Sequence, residues 1–135
     1  MREITCAAIT ATVRDLCIQA NCQLPSDVRR AICAACAQAR SPVGQSILHD
    51  LVENYTYAGE RNLPICQDTG MAVVFIDLGQ ECHITGGALE DAVNAGVAAG
   101  YTDGFLRKSI VSDPLRRVNT EDNTPAVLHL RLVPG

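Results

Sequence analysis

The sequence predicts an α+β fold, and three observations carry that reading. Apolar residues recur at helical spacing through most of the first 59 positions. A continuous apolar run with β-branched residues follows, Met71–Ala72–Val73–Val74–Phe75–Ile76. Near the end, residues 126–133 alternate apolar and polar side chains at period two. Together they predict N-terminal helices followed by a small mixed portion of strand and helix, an incomplete part of a larger domain.

The elements follow in order. Residues 4–20 place Ile9, Val13, Leu16, Cys17 and Ala20 on one helical face, and Asn21 ends it. Pro25, Ser26 and Asp27 open a second helix with an acid in its first turn, and Val28, Ile32, Ala35, Cys36 and Ala39 form its stripe. Ser41–Pro42 opens a third as a cap followed by proline at the first helical position. Its stripe is Ile47, Leu48, Leu51, Val52 and Tyr55, and Gly59 is the expected stop. The run from Met71 to Gly79 predicts a buried strand. Residues 86–103 predict a helix with Leu89, Val93, Val97 and Tyr101 on one side. Gly96 and Gly100 lie near that face, which signals close backbone packing. Residues 104–125 read as a long loop, a length that favours function over filler. The strand at 126–133 turns Leu128, Leu130 and Leu132 to one side. The organisation expected is a helical part, 4–59, and a part with a site motif, strands and a helix, 60–135. With two strands and an end at Val133–Pro134–Gly135, the chain reads as cut short.

Composition excludes several classes of function. The net charge is −4 and lysine and arginine form no run longer than a pair, as at Arg29–Arg30 and Arg116–Arg117, which argues against nucleic acid. No apolar stretch approaches the roughly 18 residues of a membrane helix. Arg14 and Asp15 interrupt the place where an export signal has its apolar core, so a cytoplasmic location is expected. Seven cysteines cannot all pair within one chain, and reduced thiols suit that location.

The segment most suited to chemistry is Pro64–Ile65–Cys66–Gln67–Asp68–Thr69–Gly70. A thiolate on a loop reaches a metal or cluster without distorting a regular element. A neighbouring carboxylate moves a proton, and an amide bonds a substrate oxygen. The same residues also suit a plain polar turn, with Asp68 capping its own backbone and Gly70 supplying unusual dihedrals. A rival cluster, Cys17, Cys22, Cys33 and Cys36, has a spacing superficially like a four-thiolate zinc site. Cys33 and Cys36 fall inside an alanine-rich helical pattern, which favours packing. Cys82 reads as a strand-edge cysteine and His83 as a loop residue.

The pieces PICQDTG, LRKS, DPL and NTEDNTPAV, with the sequence around them, closely resemble the iron–sulfur hydro-lyases: class I fumarate hydratases and the alpha subunit of L(+)-tartrate dehydratase. The resemblance covers essentially the whole chain, as the front of the catalytic alpha domain. It implies a [4Fe–4S] cluster held by three cysteines, with one iron open to act as Lewis acid in the reversible hydration of a C4 dicarboxylate, fumarate to malate first and tartrate second. Residue by residue, it implies that Cys66 is the first cluster ligand, that Gln67 and Asp68 line the substrate site, and that Arg107 binds a substrate carboxylate. A guanidinium suits that task because its fork meets a carboxylate through two parallel hydrogen bonds. Asp68 is the acid–base candidate, for proton transfer or for orientation. The remaining cluster ligands, and a glycine-rich "KGGGSEN"-like segment, are expected outside this chain. A beta subunit or C-terminal domain would supply the rest of the site, in a homodimer or heterotetramer. The other reading is a non-catalytic piece that binds a partner chain and performs no chemistry.

Overall fold

The computed structural model describes residues 2–135. In chain order the elements are β1 (Arg2–Thr5), α1 (Cys6–Cys22), α2 (Ser26–Gln38), α3 (Pro42–Arg61), β2 (Val73–Gly79), β3 (Cys82–Thr85), α4 (Leu89–Asp103) and β4 (Val127–Val133). They divide into two compact units, one from the residues up to Ile18 together with Gln67–Gly135, the other Gln19–Cys66. The fold is α+β, as expected.

In the first unit the strands form two parallel pairs. β1 lies beside β3, with Arg2 opposite Cys82, and β2 lies beside β4, with Val73 opposite Val127. A parallel pair needs a crossover, and α4 lies within the one that joins β2 to β4. Val93, Val97 and Tyr101 of α4 form the core with Val13 and Leu106. Ile9 and Cys17 pack on it from α1, and Val74, Ile76 and Leu128 from the β2–β4 pair. Arg131 on β4 donates to Asp77 on β2 (Nε to Oδ1, 2.9 Å) and holds that carboxyl below the usual carboxylate range.

α1 and α4 approach closely because α4 presents glycine at the contact. A β-carbon on Gly96 would stand 2.7 Å from the Thr10 carbonyl oxygen and 2.7 Å from Val13 Cβ. One on Gly100 would stand 2.8 Å from Cys17 Cβ. Thr10 Oγ1 donates to the Ala92 carbonyl (2.9 Å), and Arg14 Nε bonds Asp103 (2.6 Å). The close packing read from Gly96 and Gly100 is therefore present.

In the second unit, α2 and α3 pack with the last turn of α1. Cys22, Tyr55 and Ala58 are buried. α3 starts as expected: Ser41 Oγ accepts from the Gly44 N–H and Pro42 takes the first helical position. It passes the expected stop at Gly59 and ends where Asn62 adopts a left-handed φ of 54° and donates its N–H to the Ala58 carbonyl. Asparagine tolerates that conformation and so supplies the cap. Burial pushes up the thiol of Cys22 here, and that of Cys17 in the first unit, away from the thiolate that a metal takes. Cys33 Sγ lies 3.4 Å from the Tyr55 hydroxyl, and Arg29 sits over the Tyr55 ring.

Several expectations need correction. The first helix begins at Cys6, because residues 2–5 are a strand. His83 lies on β3 and is exposed, not on a loop. The fourth helix begins at Leu89, since Gly86 and Gly87 hold positive φ values of 88° and 150° ahead of it. β2 is not buried on both faces: Val73 and Phe75 are exposed while Val74 and Ile76 face the core. On β4 only Leu128 packs on the core, and Leu130 and Leu132 stand open. Among the described residues no helix is long and apolar enough to cross a membrane.

Candidate active site

The chain approaches the motif through the second unit. Beyond α3, the Ile65 N–H donates to the Asn21 carbonyl (2.9 Å), and the Ile65 carbonyl accepts from Asn54 Nδ2 (2.9 Å). Both polar groups of that peptide segment are thus held, and Cys66 follows with its side chain exposed. An exposed thiol on an irregular segment is the donor type that an iron–sulfur group takes. Among the described residues, however, no group of three or more His, Cys, Asp and Glu is placed to hold a metal ion. Cys66 fits as a single ligand, and the described residues do not complete a set.

Gln67–Gly70 belong to the first unit, where two backbone carbonyls and one hydroxyl are tied down. Thr69 Oγ1 donates to the Arg107 carbonyl at 2.8 Å. The Tyr101 hydroxyl, at the core end of α4, points at the carbonyls of Thr69 (2.9 Å) and Gly70 (3.3 Å). Asn123 Nδ2 donates to the Gly70 carbonyl at 3.1 Å. Gly70 has a φ of 62°, which its lack of a β-carbon permits. The turn is fastened from its backbone, and the side chains of Gln67 and Asp68 stay at the surface. Arg107 is also exposed, and Lys108 beside it is half-buried. The Thr69–Arg107 bond therefore ties a side chain of one candidate segment to the backbone of the other. Cys66 belongs to the second unit and adjoins Gln67 through the chain.

The 104–125 segment is a loop, as expected, but an ordered one. Val111 and Asn119 form an antiparallel bridge, Ser112 N–H donates to the Val118 carbonyl (2.8 Å), and Thr120 N–H to the Ile110 carbonyl (3.0 Å). Asp113 Oδ1 closes the tip by accepting from the N–H groups of Leu115 (2.9 Å) and Arg116 (2.7 Å). Asn119 Nδ2 donates to the Lys108 carbonyl (2.8 Å). Four non-glycine residues here hold positive φ: Phe105 (52°), Arg117 (55°), Glu121 (67°) and Asn123 (65°). Strained backbone of this kind persists only where surrounding contacts over-determine it, and it clusters at functional sites.

Asp122 sits in the same loop. Its carboxyl accepts from the Thr124 hydroxyl (2.7 Å) and the Thr124 N–H (2.9 Å), and these bonds hold it below the usual carboxylate range. A depressed folded-state value adds stability above the unfolded pKa of about 3.9, and that stability is lost as pH falls through the folded value. Asp122→Asn is therefore expected to make the acid limb of stability against pH shallower. Unfolding midpoints measured from pH 6 downward, by about 1 unit at a time, check this; an unchanged limb sinks it.

Two residues that frame the site were not singled out from sequence. Tyr101 reads as one member of a core stripe, although a buried tyrosine hydroxyl needs a partner and that need was the available signal. Asn123 lies in the run Asn119–Pro125, which is turn chemistry on its face; the resemblance suggests that the run shapes the site or a subunit contact, without a role for any one residue, and nothing local marks the burial of Asn123.

Within the first unit, the turn bearing Gln67 and Asp68 and the segment bearing Arg107 carry an amide, an acid and a guanidinium on loops, residue types suited to polar small-molecule chemistry. Residues 10–135 match the family model described as "Fumarate hydratase (Fumerase)", and the chain belongs to that family. It is similar to the "Putative L(+)-tartrate dehydratase subunit alpha" of Methanocaldococcus jannaschii, at 30% identity over 116 residues, covering 85% of this chain and 40% of that protein. "Fumarate hydratase 2" of Leishmania major is 41% identical over 87 residues, covering 63% of this chain and 15% of that one. "Fumarate hydratase class I, anaerobic" of Escherichia coli is 37% identical over 86 residues, covering 62% and 16%. The chain thus spans less than half the length of each of these relatives.

Proposed function

We propose that this chain is the N-terminal part of the alpha domain of a hydro-lyase that reversibly adds water to a C4 dicarboxylate, fumarate to malate. The observation that carries the reading is the Thr69–Arg107 bond, which joins the turn bearing Gln67 and Asp68 to the segment bearing Arg107. Arg107 binds one substrate carboxylate through its fork of N–H donors. Gln67 donates to or accepts from a substrate oxygen. Asp68 moves the proton at the carbon next to the hydroxyl-bearing one, or orients the group that does. Cys66 supplies one thiolate of a [4Fe–4S] cluster whose other ligands lie outside the described residues. Bound there, the cluster supplies Lewis-acid chemistry.

The site needs more than these residues, so the reading includes a beta subunit or C-terminal domain, assembled as a homodimer or heterotetramer. A cytoplasmic setting and a place in the tricarboxylic acid cycle belong to the same proposal; seven cysteines with no disulfide support the former. L(+)-tartrate is the second substrate reading, favoured by the relative whose match covers the largest share of this chain among those above. A chain that binds a partner without chemistry is the remaining alternative.

The test uses the assembled protein prepared without oxygen. Fumarate and L-malate are expected to interconvert, and Arg107→Ala is expected to raise the dicarboxylate KM by about 10–100-fold, the worth of hydrogen bonds to a charged group. Turnover of L(+)-tartrate alone would select the second substrate. An assembled protein that turns over neither acid is the non-catalytic piece.

A further inference from the structure

Asn123 is a fully buried polar side chain in a loop, at 0% exposure. Its Oδ1 accepts from the N–H groups of Ser109 (2.7 Å) and Ile110 (3.2 Å), and its Nδ2 donates to the Gly70 carbonyl (3.1 Å). One side chain thus satisfies three backbone groups on two segments far apart in sequence. Its own φ is 65°. The position asks for four properties together: tolerance of the left-handed region, a short reach, an acceptor for two N–H groups and a donor for a carbonyl. Aspartate lacks the donor when ionised, glutamine is a methylene longer, and glycine has no side chain; asparagine has all four.

The two segments are those of the candidate site. Gly70 closes the turn that carries Gln67 and Asp68, and Ser109 follows Arg107 by two residues. We propose that Asn123 is the positioning residue of this site: it locks the Gly70 turn to the 107–110 segment and so sets where Arg107 meets a substrate carboxylate relative to Asp68. The inference rests on the dicarboxylate reading of Arg107 and Asp68. Thr69 Oγ1 on the Arg107 carbonyl and the Tyr101 hydroxyl on the Thr69 and Gly70 carbonyls brace the same junction. Neither spans from the turn to the N–H groups beyond Arg107, which only the Asn123 amide does among these three.

The test is a double-mutant cycle in the assembled enzyme, with Asn123→Asp and Asn123→Gly each made with and without Arg107→Ala. Asp keeps both acceptor bonds and loses the donor; Gly keeps the backbone conformation and loses all three bonds. With Arg107 present, each variant is expected to lower kcat/KM for the dicarboxylate by about 10²-fold, the size of effect that a misplaced group produces. In the Arg107→Ala background the same changes are expected to cost less than about threefold, because the group being positioned is gone. Equal losses in both backgrounds, or no loss with Arg107 present, overturn the proposal. If Arg107→Ala itself leaves turnover unchanged, the dicarboxylate reading fails instead, and amide exchange decides the lock. Faster exchange at Ser109 and Ile110 in Asn123→Gly, with α4 still protected, upholds it; unchanged exchange refutes it.

Discussion

In the proposed hydro-lyase, Cys66→Ser is expected to abolish both the brown iron–sulfur absorbance and the hydration activity of the assembled protein, while leaving the chain folded. The two halves of that expectation have separate causes. Cys66 is exposed and follows a segment whose backbone is held by Asn21 and Asn54, so the substitution removes no core contact and leaves the anchor at Ile65 intact. The proposed ligand is lost, however, and with it several kcal/mol of charge stabilisation, which at about 1.4 kcal/mol per decade is at least about a thousandfold in rate. Iron content, visible absorbance and turnover, compared at equal thermal stability, make the check. A variant that keeps its iron and its colour removes Cys66 from the ligand set.

The second large effect concerns stability. Gly96→Val is expected to destabilise the first unit by about 2–3 kcal/mol, the upper range for overpacking. Its Cβ alone would meet the Thr10 carbonyl oxygen and Val13 Cβ, each at 2.7 Å, and one of those neighbours is backbone that cannot swing aside. Removing glycine returns at most about 1 kcal/mol of helix propensity, and a β-branched residue returns less. α1 and α4 must then separate, which opens the core at Val13, Val93 and Val97. Chemical denaturation reads the change as a lower midpoint; an unchanged midpoint would mean that the α1–α4 contact does not hold the unit together.

Much of this helical architecture was legible in the residues themselves. Ser41–Pro42 is a local signal with a local cause, and α3 starts there. Gly96 and Gly100 were legible as close packing because glycine in a helix interior is costly unless something approaches. β1 and β3 were not, since four residues carry too little periodicity and each strand exists only by pairing with the other. The open faces of Phe75, Leu130 and Leu132 were hidden for a related reason: an apolar side chain says that it favours burial, not what covers it. At the site, Cys66, Gln67 and Asp68 stood out as a thiol, an amide and an acid on one turn, and the resemblance gave them roles and added Arg107. What joins the Asp68 turn to the Arg107 segment, the Thr69 hydroxyl and the Asn123 amide, consists of hydrogen bonds between distant positions, which no window along the chain displays.

Those distances also order the folding of the chain. The Asp77–Arg131 pair across β2 and β4 links residues 54 positions apart, and the Thr10–Ala92 bond between α1 and α4 links residues 82 apart. Contacts so remote return nothing until a long loop has closed, which slows their formation. The second unit is helices joined by short turns, with the Cys33–Tyr55 contact only 22 positions apart. It can assemble from near neighbours while the strands are still searching. The α2–α3 pair is therefore expected to settle ahead of the β2–β4 pair, and the α1–α4 contact at Thr10–Ala92, the most remote of these, to close last.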